Sequence, residues 1–158
     1  MSSNEIDLAE YRRALGCFAT GVAVVTAIDK NGEKAGITVN SFNSVSLDPP
    51  LVLWSIAEDA QSFSSFVEAE HYAVNVLAMH QQDICERFAT RGSDKFDGLN
   101  CNEGIAGIPV LPTYSAVFEC SAEHRYDGGD HMILVGRVQR FEDRKTDPLI
   151  FYRGHYLE

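Results

Sequence analysis

The chain has 158 residues, 45% hydrophobic and 23% charged, which suits one globular domain with a sizeable core and excludes a disordered or fibrous class. Thirteen basic against 23 acidic side chains leave a formal charge of −10. That balance opposes binding to a nucleic-acid backbone or an anionic membrane surface, and its plainest consequence is solubility.

The start, MSSNEIDLAEYRR, has no apolar signal core, and no stretch approaches the roughly 20 apolar residues of a membrane span. A cytoplasmic location is therefore expected. None of Cys17, Cys85, Cys101 and Cys120 forms a C-x-x-C pair, so zinc and thioredoxin-like chemistry are disfavoured and the cysteines read as small apolar fillers in a reduced compartment.

Ile6 to Phe18 reads as a helix, with Ile6, Leu8, Tyr11, Leu15 and Phe18 at mixed spacings of three and four and acidic residues in the first turns. Val22 to Ile28 is a β-branched run, Asp29 to Gly32 a turn, and Ala35 to Val39 the returning strand. Asn43 to Leu47 is extended and stops at Asp48-Pro49-Pro50. Leu51 to Ile56 is a buried strand. Ser62 to Val67 is a short helix with Ser62 as N-cap. Tyr72 to Leu77 is a strand, Gln81 to Ala89 a helix with Ile84, Cys85 and Phe88 on one face, and Thr90 to Asn102 a polar loop. Ala116 to Tyr126 and His131 to Phe141 are long strands around the turn DGGD, and Leu149 to Tyr152 is a short last one. Many short strands with two or three inserted helices predict a mainly β, closed or nearly closed antiparallel barrel in a single domain over 1–158.

Between Gly36 and Ile56 the sequence GITVNSFNSVSLDPPLVLWSI sets a run of short polar side chains beside an apolar strand. Thr38, Asn40, Ser41, Ser44 and Ser46 are compact donors and acceptors, suited to the polar edge of a planar heteroaromatic ligand or to a sugar-like chain. By alternation, Thr38 shares a face with Asn40 and Ser44 with Ser46, so two adjacent strands would present one polar face. The bland reading is a solvated sheet face with turn-forming Asn and Ser. Further on, Gly129-Asp130-His131 places an acid and an imidazole at the entry to a strand.

The segments FATGVAVVTA, GITVNSFNSVSLDPPLVL, AVNVL, DKFDG, GDHMILVGRV and PLIFYRGHY, in that order, resemble the short-chain flavin reductases, the reductase components of two-component flavin-dependent monooxygenases. The resemblance runs from about Leu15 to Tyr156. It implies an FMN-binding split barrel, a homodimer with flavin near the interface, and hydride transfer from NADH or NADPH to FMN or FAD. Reduced flavin then diffuses to a partner oxygenase.

The same resemblance assigns residues. Ile37, Thr38, Val39, Asn40 and Ser41, with Ser44, Val45 and Ser46, would line the isoalloxazine and ribityl chain, and Ser55 and Phe88 join that flavin set. Ala57, Ala60, Gln61, Ser62, Phe63 and Ser64 would carry the phosphate at a helix N-terminus, with Lys95 and Arg91 as further contacts or as solvated loop charges. Cys17, Phe18, Ala19, Thr20, Gly21, Asp130, His131, Phe151, Tyr152, Arg153 and Gly154 match the segments that meet the pyridine nucleotide. His131 would hold the nicotinamide amide, a positioning role and not that of a general acid. Phe18 and Tyr152 also suit ordinary core packing. No Gly-x-Gly-x-x-Gly follows a strand, so a Rossmann site is not implied. The absence of an evident Arg pair for a 2′-phosphate leans the choice towards NADH.

Three other readings stand beside this one: a flavoprotein that retains FMN and reduces another acceptor such as a ferric chelate, a non-catalytic FMN-binding module, and a cysteine enzyme using Cys17 or Cys120. The last is weakened because neither cysteine has a basic neighbour in the sequence.

Overall fold

The computed structural model describes residues 5–92 and 94–158. The first four residues of the polar start and Ser93 of the Thr90–Asn102 loop lie outside it. The elements, in chain order, are α1 (Leu8–Leu15), β1 (Thr20–Gly21), β2 (Ala23–Ile28), β3 (Lys34–Val39), β4 (Asn43–Leu47), β5 (Pro50–Ala57), α2 (Phe63–Val67), β6 (His71–Val76) and α3 (Gln82–Ala89). They continue with β7 (Asn102–Glu103), a 3-10 turn (Ile105–Gly107), β8 (Pro109–Val110), β9 (Ala116–Gly128), β10 (His131–Asp143), β11 (Ile150–Tyr152) and β12 (His155–Leu157).

Seven strands form one antiparallel sheet in the order β3-β2-β6-β9-β10-β5-β4. β3 and β4 are its two edges, not neighbours. The sheet curls so that Ser41, two residues past β3, reaches β5: its Oγ donates to the Ser55 carbonyl at 3.0 Å and accepts from the Ser55 amide at 2.9 Å. This is the seam of a split barrel, the fold that the resemblance implies, and the strand pattern's nearly closed antiparallel barrel agrees with it. A separate sheet, β1-β11-β12, closes one side, and β7 pairs with β8.

The apolar side chains gather in three clusters, and β2 contributes to two of them. Val25, Trp54, Phe66, Tyr72, Cys120 and Leu134 fill the barrel. Val22, Val24, Leu77, Cys85, Phe88, Leu111 and Leu149 lie between barrel and α3. Ala73, Ile108, Val110, Tyr114 and Val117 form the third. The continuous apolar run of β2 is thereby explained, since its two faces serve different clusters. Thr26 donates to the Pro109 carbonyl, and the Asn75 amide donates to the Val24 carbonyl at 2.9 Å and to Thr26 at 3.1 Å while accepting from the Leu111 amide at 3.0 Å. These buried polar groups tie the 109–111 segment across β2 and β6.

Several expectations need correction. The first helix is shorter, capped by the Asp7 carboxylate, and buries none of its residues. Ile6, Leu8, Tyr11, Leu15 and Phe18 are all exposed, so Phe18 is not core. Ser62 holds the N-cap position of α2 without a side-chain capping bond. Strands β1 and β12 and the β7–β8 pair went unread, all of them two or three residues long. A bulge at Val45 sets Ser44 opposite Val52 and Ser46 opposite Leu51. Opposed side chains share a face, so Ser44 and Ser46 point to opposite sides of the sheet.

α3 lies against β3 because position 36 has no side chain: a β-carbon there would collide with the Phe88 ring. Gly36→Ala should cost about 1–3 kcal/mol of stability through this overpacking, read as a lower urea midpoint. Adding Phe88→Leu should recover part of that loss.

Glu119 supplies a pH-sensitive tie. Burial opposes its charge, but Arg140 donates to both carboxylate oxygens and the Ile105 amide donates at 2.8 Å. The net effect holds the carboxyl below its usual range. With the folded value below the unfolded one, this stabilisation is present above the unfolded pKa of about 4.3 and lost as pH falls through the folded value. Urea midpoints of the wild type and Glu119→Gln should therefore differ at neutral pH and converge on acidification below that unfolded value.

Candidate functional site

Successive stretches of β3 line two concavities. Its end, with the residue after it, borders a cavity of about 180 Å³ lined by Val22, Thr38, Val39, Asn40, Cys85, Ala89, Phe151 and Tyr156. Its first half borders a groove of about 740 Å³ that runs past Gly36, Gln61, Ser62 and Lys95. Residues expected from sequence to meet flavin (Thr38, Val39, Asn40) and nicotinamide (Phe151) therefore line one cavity. Gln61, Ser62 and Lys95, expected at the phosphate, line one groove.

Several of the polar side chains expected to meet flavin already have protein partners. Thr38 Oγ1 donates to the Cys85 carbonyl at 2.7 Å, fastening β3 to α3. Ser41 is engaged at the seam. Ile37 and Val39 pack on the barrel core. Phe88 is fully buried, edge-on to Phe96 at 5.1 Å, so its side chain serves the core. Asn40, Ser44 and Val45 are exposed, and Ser46 and Ser55 are half-buried.

At the groove, Lys95 is half-buried and donates to the carbonyls of Gly36 at 3.3 Å and Phe88 at 3.0 Å. An ammonium carries three protons, and among the described residues two of them are used by these carbonyls. Burial lowers its pKa. Arg91 donates to the Asp59 carbonyl at 2.9 Å, and the Gly92 amide donates to Gln61 at 3.3 Å, joining the 90–92 loop to the start of α2. α2 has only five residues, so its dipole adds little, and the cation and side-chain donors carry the anion-binding character. Ala60 and Phe63 pack on the core, Ala57 is half-buried and Ser64 is exposed.

His131 begins β10 opposite Ala57, and the Glu58 amide donates to the Asp130 carbonyl at 2.9 Å. His131 Nδ1 lies 2.7 Å from Asp130 Oδ1. The imidazole holds the Asp130 carboxyl below its usual range. An ionised carboxylate only accepts, so Nδ1 carries the proton, and Nε2 of the neutral ring is left as an acceptor.

The remaining nucleotide-side residues form a separate unit. Thr20 pairs with Phe151 and Gly21 with Ile150, while the Arg153 amide donates to the Gly16 carbonyl at 2.9 Å. Arg153 Nε donates to Tyr152 Oη at 2.9 Å, in a turn where Arg153 and Gly154 have φ of 48° and 80°. The guanidinium is held above its usual range by Tyr152 and then by Cys17. Cys17 is exposed, so it is not an apolar filler and does have a basic neighbour, one that only the fold provides. Cys120 fits the filler reading, its thiol pushed up to about 12 by burial and Glu119. Strand pairing attaches His131 to β5, not to this unit.

Sequence reasoning missed Cys85 and Tyr156 as cavity residues. Cys85 Sγ and Tyr156 Oη lie 3.1 Å apart, which fastens the final hairpin to α3. Burial raises the thiol. Beside that thiol, and with burial adding, the phenol is pushed up to about 12. The available signal was the place of Tyr156 at the end of PLIFYRGHY, one of the segments that carry the resemblance.

Comparison with known proteins identifies the family. The flavin reductase like domain family matches residues 15–158, and the chain belongs to that family. It is 48% identical over 146 residues to the FMN reductase (NADH) SmoA of Agrobacterium fabrum, covering 92% of this chain and 83% of that protein. It is 40% identical over 157 residues to the reductase subunit HsaB of a flavin-dependent monooxygenase of Rhodococcus jostii, covering 99% and 80%. Among solved structures, the NADH:FAD oxidoreductase SgcE6 of Streptomyces globisporus, in complex with NAD and FAD fragments, superposes with a TM-score of 0.90 at 35% identity, covering 96% and 92%. The chain spans about half the length of some other relatives.

The seam serine gives a direct test. Ser41→Ala leaves the half-buried Ser55 amide and carbonyl without their partner and should cost about 1–3 kcal/mol, measured by urea unfolding. Ser44→Ala, on the exposed edge, should stay within about 0.5 kcal/mol of wild type.

Proposed function

We propose that the protein is an NADH:flavin oxidoreductase that reduces FMN or FAD and releases the product to a partner oxygenase. The observation that carries this reading is the arrangement along β3. Thr38, Val39 and Asn40 share a small cavity with Phe151, while two residues back the Gly36 carbonyl holds a half-buried ammonium in a groove. A flat ring at the cavity and its phosphate at Lys95 match that spacing, at roughly 3.3 Å per strand residue. The donor set fits: one anchored cation and short neutral donors, with no unpaired charge to desolvate at the ring.

The flavin supplies a ring able to take a hydride from the reduced nicotinamide. The protein's own part is positioning and exclusion of water. Lys95 and Gln61 fix the phosphate end, and exposed backbone near Val45 and Ser46 meets the polar edge of the ring. Asp130 fixes the tautomer of His131, whose Nε2 accepts from the carboxamide N–H of the nicotinamide. The residues that touch the reacting groups need move no proton, and the contribution is orientation.

We further infer a homodimer. The exposed apolar side chains of α1 and of Val45 and Leu47 on the edge strand suit burial against a second copy. Such an interface also suits a site whose His131 and Phe151 parts sit on separate units. The cytoplasm, where reduced pyridine nucleotide is at hand, is the proposed compartment. Among the described residues no helix is long and apolar enough to cross a membrane.

Purified protein mixed with NADH should oxidise it only when FMN or FAD is added, followed as loss of the reduced-nicotinamide absorbance. His131→Ala should raise KM for NADH about tenfold, as expected for a hydrogen bond worth roughly 1.5 kcal/mol, with little change in flavin KM. No flavin-dependent oxidation with either pyridine nucleotide would end the reading, and equal losses for both substrates would remove His131 from its assigned role.

A further inference from the structure

Beyond the cavity and the groove, a further concavity of about 380 Å³ lies on the side of β9 that carries the third apolar cluster. It shares no lining residue with either of the other two. Its volume falls within the roughly 300–1,000 Å³ of sites that enclose small molecules. Val110 and Val117, both buried, give it an apolar base. Asn102 and Glu103 of β7 border it, and so do Arg140 and Glu142 of β10 with Arg144 just past that strand. The last three alternate along the chain and so share one face.

Its charged walls are held in place by the protein itself. Arg140 donates through Nε and Nη2 to the two oxygens of buried Glu119, which also accepts from the Ile105 amide at 2.8 Å. Arg144 donates through Nε to Glu142 and through Nη1 to the Pro112 carbonyl, both at 3.2 Å, and its guanidinium lies 3.8 Å over the Tyr114 ring. The Tyr114 hydroxyl donates to the other oxygen of Glu142 at 2.6 Å. Thr26 donates to the Pro109 carbonyl and anchors the β7–β8 pair to β2.

What remains after these bonds defines a ligand. Among the described residues, Arg140 Nη1 and Arg144 Nη2 donate to no protein acceptor. Arg140 is paired with Glu119 and Arg144 with Glu142, whereas exposed Glu103 forms no ion pair among the described residues. The lining thus holds three carboxylates against two guanidiniums. A lone anion would meet a net negative lining, and a lone cation would leave both guanidinium donors unused. A compact zwitterion answers both conditions. We propose that this concavity binds a free α-amino acid with an apolar side chain. Its carboxylate accepts from Arg140 Nη1 and Arg144 Nη2, its ammonium donates to Glu103 and to the Asn102 carboxamide oxygen, and its side chain rests on Val110 and Val117. The site stands apart from the flavin chemistry and needs no part of it.

The test is titration calorimetry on the whole chain with three probes: L-leucine, 4-methylpentanoate, which lacks the ammonium, and 3-methylbutylamine, which lacks the carboxylate. L-leucine should bind with Kd of about 1 mM or below, and each analogue about tenfold more weakly or worse, as for loss of a charge-assisted contact. Glu103→Gln should weaken L-leucine about tenfold and leave 4-methylpentanoate unchanged, since that probe has no ammonium to lose. Arg144→Gln should weaken L-leucine and leave 3-methylbutylamine unchanged. Both positions are exposed, and a circular-dichroism melt checks that each variant folds. No heat from L-leucine at about 10 mM, an order of magnitude above that Kd, would overturn the proposal. So would an analogue that binds as tightly as L-leucine, or undiminished L-leucine affinity in Glu103→Gln.

Discussion

The contact between the Phe88 ring and the bare backbone of Gly36 sets the geometry of the candidate site. It seats α3 directly on β3. From that seat follow the Thr38 bond to the Cys85 carbonyl and the pair of carbonyls, Gly36 and Phe88, that hold Lys95. The cavity and the groove are the two spaces left on either side of the contact. A methyl group at position 36 would shift the helix and with it every donor that depends on the helix. The side chain that seats the helix on the strand is itself fully buried.

The short polar residues after Gly36 have a double use. Thr38 and Ser41 bind backbone, one to a helix and the other across the seam. A hydroxyl can serve both as a structural tie and as the lining of a polar cavity, because it donates once and accepts twice. A charged side chain at the seam would have no such economy of geometry and would carry a desolvation cost. This is why an apolar strand and a run of Ser, Thr and Asn occur side by side in the sequence.

Much of the architecture is legible in the sequence because its signals are local. The β-branched run of β2, the Asp29–Gly32 turn, the double proline before β5 and the long pair around DGGD each announce themselves within a few residues. What stayed hidden depends on distant partners. The bulge at Val45 and the assignment of β3 and β4 to opposite edges follow from sheet closure, which no short window records. Strands β1 and β12 are too short to show a period, and β12 carries Tyr156 into the cavity. The bond from the Arg153 amide to the Gly16 carbonyl, which brings Arg153 beside Cys17, joins residues 137 positions apart. The phosphate-end residues were found through resemblance, and the structure collects three of them, Gln61, Ser62 and Lys95, along one groove. The larger part of that groove has no motif at all, since Lys34 and Phe96 become neighbours only when the β2–β3 hairpin and the 94–96 segment are packed together.

β2 supplies side chains to two of the apolar clusters and is hydrogen-bonded to the edge of the third. Its inward face completes the barrel, its outward face completes the layer under α3, and Thr26 with Asn75 fastens the third cluster to it. The two clusters that share β2 cannot lose order independently of each other, and the hydrogen bonds of Thr26 and Asn75 couple the third to them. The domain is built to melt as a single cooperative unit, and a fragment that lacks residues 23–28 has no reason to retain any part of the native packing.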